Sequence, residues 1–211
     1  LSFGIESRRR PHAQCAFCHS LERHRLMWLI LKDRTRLMKE PQKLLHVAPE
    51  HFFFERFSKD PSIAYTAGDL FAPGYTYPKG TVDLDVTDIK FPDNTFDGVI
   101  CSHVLEHVPD DVRGMSELAR VLKPGGWAVI QVPMRPGLER TDEDITITDP
   151  VEREQRFGQH DHFRIYGLDL KDRLEQGGFT VEVIKHTAIY SPQEIYRMGL
   201  PSQDDLYFCT V

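Results

Sequence analysis

Histidines are concentrated in two short segments of the sequence. The first, residues 103–107, contains His103, Glu106 and His107, which would share one face if the segment were helical. Imidazole exchanges protons near neutral pH, so His103 and His107 are candidate general bases. The alternative interpretation is that the whole segment has a structural role, in which His107 caps a helix or packs in the core.

The second histidine-rich segment, residues 157–167, ends a long connection over 134–166. Its polar side chains include those of His160, His162, Arg164 and Tyr166. We expect this connection to form a lid or substrate loop, in which His162 is a candidate base. A hydrogen-bonded network that only holds the loop in place is the other interpretation.

These side chains need elements to position them, and the middle of the sequence predicts such elements. Residues 96–101 are an apolar run preceded by a Pro-Asp-Asn turn, which is typical of a buried strand. Asp110 or Asp111 can cap a helix with one apolar face. A Lys-Pro-Gly-Gly segment then predicts the helix end, before a strand over 127–132. Together they form a right-handed βαβ unit, whose ligands gather at the carboxyl ends of its strands.

Further segments follow the same order as the parts of a known family. They are LLHVAPE (44–50), AYTAGDL (64–70), DVTDIKF (85–91), EQGGFTVEVI (175–184) and DLYFCTV (205–211). With the βαβ unit, they make the chain resemble class I S-adenosylmethionine-dependent methyltransferases of type 11 over nearly all of residues 43–211. The resemblance implies an α/β, Rossmann-like sheet of seven strands, with helices on both faces and the last strand antiparallel.

The resemblance also implies a cofactor, S-adenosylmethionine, with S-adenosylhomocysteine as product. Asp69 would accept hydrogen bonds from the ribose hydroxyls, and Asp85 from the adenine amino group, with the Val86 N–H facing a ring nitrogen. The alternative is that each acid has a structural role, in which its side chain stabilises a turn or caps a helix. The expected cofactor-binding residues are Val47, Ala48, Glu50, Asp69, Leu70, Asp85, Val86, Ser102 and His103. Glu50 is a candidate acceptor for the methionine ammonium group.

The predicted cofactor loop differs from that of the broad family. Ala48-Pro49-Glu50 replaces a glycine-rich run, and a proline lacks an N–H donor. The chain resembles a type 11 subgroup that has an N-terminal CxxC arm and the same Ala-Pro-Glu loop. We therefore interpret this loop as a variant form of the cofactor loop. The missing glycines also count against a nicotinamide oxidoreductase.

Residues 1–42 form a predicted arm, followed by a methyltransferase domain over 43–211. Ser20 is a candidate N-cap of a helix that would run to about Met38. Before it, Cys15 and Cys18 could supply two thiolates to zinc, which is half of a four-ligand site. In the subgroup that the arm resembles, a second CxxC upstream completes the site. We expect free cysteines here, and no metal site, including at 103–107, where some methyltransferases carry Glu-x-x-Glu-His.

Composition limits the classes of partner. Residues 1–43 contain ten Lys and Arg against four Asp and Glu, whereas the rest contains sixteen against twenty-eight. A basic arm suits an anionic partner, but no aromatic residues interleave a basic groove, so nucleic acid is not expected. No run of about 20 apolar residues predicts a membrane span. We expect a cytoplasmic protein, and the oligomeric state stays open.

The predicted function is methyl transfer to an oxygen or nitrogen nucleophile of a small molecule or an exposed side chain. Two alternatives remain: a module that binds S-adenosylmethionine or S-adenosylhomocysteine without turnover, and an adaptor that acts through the basic arm.

Overall fold

A mixed seven-stranded sheet lies at the centre of the computed structural model, which describes residues 13–71, 76–201 and 205–211. The strands, in chain order, are β1 (Gln42–Val47), β2 (Ile63–Asp69), β3 (Val82–Asp83), β4 (Phe96–Ser102), β5 (Leu122–Gln131), β6 (Asp142–Glu143), β7 (Arg164–Ile165), β8 (Thr180–Ile184) and β9 (Leu206–Thr210). The sheet order is β3-β2-β1-β4-β5-β9-β8, and β6 pairs with β7 as a separate ribbon. Strands β1 to β5 are mutually parallel, while β9 runs antiparallel to both neighbours. This confirms the predicted fold class.

Helices cover both faces of the sheet. They are α1 (Glu22–Arg34), α2 (His51–Phe57), α3 (Asp111–Arg120), α4 (Pro150–Phe157), α5 (Leu170–Gln176), α6 (His186–Ile189) and α7 (Pro192–Met198), with a 3₁₀ turn over Leu105–His107. Within the described residues, no helix combines the length and apolar character needed to cross a membrane.

Side chains alternate between the two faces of the sheet, as strand geometry requires. One hydrophobic cluster joins Val99 of β4 to Met115 of α3 and Leu174 of α5. The other joins Leu44 of β1 to side chains from α1 and α2, among them Leu26, Leu31, Phe52, Phe53 and Phe57. The first helix of the predicted arm therefore packs on the sheet, while the domain boundary at residue 42 stays a prediction. Residues 1–12 of the arm lie outside the described part of the chain.

The first helix differs from its predicted bounds. Its N-cap is Leu21 rather than Ser20, and the His24 imidazole accepts the Leu21 N–H at 3.2 Å. The helix ends at Arg34 because Thr35 is extended, and its hydroxyl donates to the Leu31 carbonyl and accepts the Leu37 N–H. The predicted end at Met38 was therefore wrong by one turn.

The predicted βαβ unit is present with one shifted boundary. Asp110 caps α3 by accepting the Arg113 N–H at 3.0 Å. Strand β5 already begins at Leu122, which pairs with Phe96, so the Lys-Pro-Gly-Gly segment lies inside an irregular strand rather than before it.

The long connection after β5 is anchored by buried polar side chains. The Arg164 guanidinium donates to the carbonyls of Leu105, Val108 and Pro109. The Tyr166 hydroxyl donates to Asp111 at 2.7 Å, and Arg173 binds the same carboxylate. Both Arg164 and Tyr166 are fully buried. Arg164 and Tyr166 thus belong to a hydrogen-bonded network that holds the connection in place, which was the alternative interpretation of the second histidine-rich segment.

Candidate cofactor site

A cavity of about 720 Å³ opens at the carboxyl edge of the parallel strands. Eight of the predicted site residues line it: Val47, Ala48, Asp69, Leu70, Asp85, Val86, His103 and His107. They come from the ends of β1, β2 and β4 and from the segment after β3. The three other predicted residues, Glu50, Ser102 and His162, are not among those lining the cavity.

The two acids reach the cavity in different surroundings. Asp69 is the last residue of β2 and half-buried, and burial raises the pKa of its carboxyl group. Asp85 is exposed, and its Oδ1 accepts both the Thr87 N–H at 2.8 Å and the Thr87 hydroxyl at 2.7 Å. Both bonds use Oδ1, so Oδ2 can accept from another partner. Turn chemistry and ligand binding are therefore compatible at Asp85.

The loop after β1 holds an unusual backbone conformation. Ala48 has φ of 48°, in the left-handed region that glycine usually occupies. Its N–H donates to the Gly68 carbonyl at 2.8 Å, and Pro49 has no N–H. The loop therefore achieves a glycine-like turn with an alanine, and it offers a ligand few amide donors.

Glu50 is oriented toward the protein interior. Its Oε2 lies 2.8 Å from His46 Nε2, and the other nitrogen of that ring lies 2.9 Å from the Tyr65 hydroxyl. His24 of α1 lies 3.9 Å from Oε1. Burial raises the pKa of Glu50. The hydrogen bond with His46 and the charges of the two imidazoles outweigh this effect and lower the pKa to about 2. Burial lowers the pKa of His24 to about 4. An ionised Glu50 thus ties the loop to the sheet through its hydrogen bond with His46.

The end of β4 supplies a second strained residue. His103 has φ of 54°, and its N–H donates to the Gln131 carbonyl at 2.8 Å. Its ring lines the cavity, with Nδ1 3.3 Å from Glu106 Oε1. Ser102 is buried, and its hydroxyl has no hydrogen-bond partner among the described residues.

The two other predicted bases contact each other. The rings of His107 and His162 meet edge to face, with centroids 4.6 Å apart. His107 Nδ1 lies 3.2 Å from Asp161, and His162 Nδ1 lies 3.2 Å from the Phe157 carbonyl. Burial lowers the pKa of His107, but the bond to Asp161 and the charge of Glu106 more than offset this, so its pKa is raised. His107 and Asp161 line the cavity, whereas His162 stands behind His107.

Sequence reasoning missed several wall residues. Asp161 lies in the second histidine-rich segment, but the sequence does not show that it pairs with His107. Arg113 and Asp110, at the start of α3, follow the histidine segment directly and could have been inferred from the βαβ geometry. Thr76 and Tyr77 belong to the connection after β2, where no periodic pattern marks a wall.

Comparison with known proteins agrees with the fold. A family model described as a methyltransferase domain of type 11 matches residues 65–130. Demethylmenaquinone methyltransferase of Clavibacter sepedonicus is 49% identical over 49 residues, 23% of this chain and 20% of that protein. A 2-methyl-6-phytyl-1,4-hydroquinone methyltransferase of rice is 36% identical over 75 residues, 35% of this chain and 23% of that protein. The chain therefore spans about a fifth of the length of these curated relatives.

Solved structures match a larger share of the chain. The 1,6-didemethyltoxoflavin-N1-methyltransferase of Burkholderia thailandensis, solved with S-adenosylhomocysteine, gives a TM-score of 0.56 at 17% identity, covering 90% of this chain and 77% of that one. The YcgJ protein of Bacillus subtilis gives 0.55 at 18% identity, covering 85% and 79%. At such identities the likeness establishes the fold. Residues 65–130 thus match the methyltransferase-domain family model, in a chain that has the Rossmann-like fold of these solved methyltransferase structures.

Proposed function

We propose that the protein binds S-adenosylmethionine in this cavity and transfers its methyl group to an oxygen or nitrogen of a small molecule or an exposed side chain. One observation carries the proposal: Asp69 and Asp85 line the same cavity, inside the residues that match the methyltransferase domain. The volume also lies within the range of roughly 300–1,000 Å³ that is usual for small-ligand sites.

The chain's own groups suit the parts of this cofactor. The half-buried Asp69 carboxylate would accept hydrogen bonds from the two ribose hydroxyls, and such bonds to a charged group each contribute about 1.5–3 kcal/mol. Asp85 Oδ2 would accept from the adenine amino group, while the Val86 N–H would donate to the ring. Ala48 and His103 would border the methionine end.

The cofactor supplies an electrophilic methyl group on a cationic sulfur, so no covalent bond to the protein is required. The protein must then align the acceptor, exclude water and take a proton. We assign the proton to His103, because among the candidate bases it lines the cavity at the end of β4, beside Ala48. His162 contacts His107 and is not among the residues that line the cavity.

The methyl acceptor is not inherited from the relatives. Their names state quinone or hydroquinone methylation, but the family match ends at residue 130, before the connection 134–166 that would contact an acceptor. Fold alone does not specify a substrate.

Isothermal titration calorimetry with S-adenosylmethionine tests the binding step. We expect the natural protein to bind, and Asp69→Ala to weaken binding by at least about tenfold, since two charged hydrogen bonds are lost. Asp88→Ala is the matched control, because Asp88 is an exposed acid nearby that pairs with Lys90. Unchanged binding in Asp69→Ala would contradict the proposal.

Transfer is tested separately with methyl-labelled cofactor and fractionated metabolite and protein extracts. We expect label in one acceptor fraction with the natural protein, and its loss in His103→Ala with cofactor binding retained. Binding without any transfer would instead support the module without turnover. An absence of binding by a folded protein would favour the adaptor.

A further inference from the structure

Three side chains with metal-ligating atoms converge beside the cavity. One ligand atom each of Glu106, His107 and His162 lies within 4.8 Å of the others. The first two belong to the 3₁₀ turn after β4, and the third belongs to the connection before α5. The Phe163 N–H donates to the Glu106 carbonyl at 2.9 Å, so the backbone itself fixes the two segments together.

Glu106 lacks the partners that a buried carboxylate requires. Its side chain is 1% exposed, and neither of its oxygens has a hydrogen-bond partner among the described residues. His103 Nδ1 lies 3.3 Å from Oε1, but without the alignment of a hydrogen bond. Burying an unpaired carboxylate is costly, so this position favours a bound cation.

In both histidines, Nδ1 faces an acceptor on the protein. His107 Nδ1 faces the Asp161 carboxylate, and His162 Nδ1 faces the Phe157 carbonyl, each at 3.2 Å. Because both partners are pure acceptors, Nδ1 carries the proton in each ring and the lone pair remains on Nε2. A carboxylate or carbonyl behind each imidazole is the usual outer support of a metal site.

We propose that Glu106, His107 and His162 bind a divalent transition-metal ion. Two imidazoles and one carboxylate suit Zn²⁺ or Fe²⁺ better than Mg²⁺, which prefers oxygen ligands. His107 also lines the cavity, so the proposed metal site adjoins the cavity. The site goes beyond methyl transfer and does not depend on it, and it revises the expectation that no metal binds.

Metal titration of the full chain, without S-adenosylmethionine, tests the site. A Cys15→Ser/Cys18→Ser background removes the other pair of soft ligands, and the protein is first stripped with a chelator. We expect one Zn²⁺ per chain by calorimetry and a Co²⁺ absorption spectrum. His162→Ala should weaken Zn²⁺ binding by more than about a hundredfold, and Asp161→Asn by about 10- to 100-fold.

The matched control is His160→Ala, an exposed histidine two residues from His162, which should leave metal binding unchanged. Glu106→Gln supplies a second readout, because it keeps the shape and removes the charge. Zn²⁺ should raise the thermal midpoint of the background protein and not that of Glu106→Gln. Zn²⁺ binding that is equally strong in His162→Ala, or no binding by the folded background protein, would overturn the proposal, whatever the outcome for methyl transfer.

Discussion

Ala48 and His103 both adopt left-handed backbone conformations at the carboxyl ends of adjacent parallel strands, with φ of 48° and 54°. Such conformations cost a non-glycine residue about 1–3 kcal/mol and persist only where the surroundings impose them. Here each residue donates its N–H to a neighbouring strand, Ala48 to Gly68 and His103 to Gln131. Two strained residues thus form facing edges of the cavity.

Replacing Ala48 with glycine should stabilise the protein by up to about 1 kcal/mol, since relief of the left-handed strain exceeds the added entropy of the unfolded chain. Urea unfolding measures the difference. Ala67→Gly, in the adjacent strand β2, is the control and should lose about 1 kcal/mol. Equal losses in both variants would contradict the strain at Ala48.

Stability should fall as the pH drops from 6.5 to 4. The folded protein keeps His24 neutral down to a pKa of about 4, whereas the unfolded chain protonates it near 6.5. Between these values the unfolded state binds more protons, so stability decreases by at most about 1.4 kcal/mol per pH unit from this residue. Unfolding measured from pH 4 to 7 should show a smaller slope in His24→Gln. The exposed His51, changed to Gln, should leave the slope intact.

Glu50→Gln should destabilise the protein at pH 7 by about 3 kcal/mol, because it removes the buried carboxylate that is hydrogen-bonded to His46. A carboxyl pKa of about 2 in the folded state means that this contribution is complete above pH 4.5 and is lost as the pH falls toward 2. Guanidinium unfolding at pH 7 and pH 3 measures both parts. A variant as stable as the natural protein at pH 7 would show that the anion is dispensable.

Asp111 should control the anchoring of the connection 134–166. Asp111→Asn weakens its bonds to Tyr166 and Arg173, and we expect a loss of about 2–4 kcal/mol with faster proteolysis inside the connection. Tyr166→Phe removes one hydrogen bond and should cost only about 1 kcal/mol. If Asp111→Asn left the cleavage rates unchanged, the bonds of Asp111 would not be what anchors the connection.

The sheet could be predicted because apolar runs and turn residues mark its strands, whereas Asp69 and Asp85 were predicted from the resemblance of their segments to a known family. The orientation of Glu50 could not be predicted. It lies in the loop after β1, and only the folded positions of His46 and His24 show that it faces inward. The convergence of His162 on Glu106 likewise depends on the path of a long connection, which carries no periodic signal.

A crystal structure with S-adenosylhomocysteine tests the account most directly. We predict the ribose hydroxyls within hydrogen-bond distance of the Asp69 carboxylate and the adenine amino group near Asp85, with the homocysteine sulfur toward His103. A ligand bound elsewhere, or in this cavity with the ribose away from Asp69, would contradict the assignment of the cavity as the cofactor site.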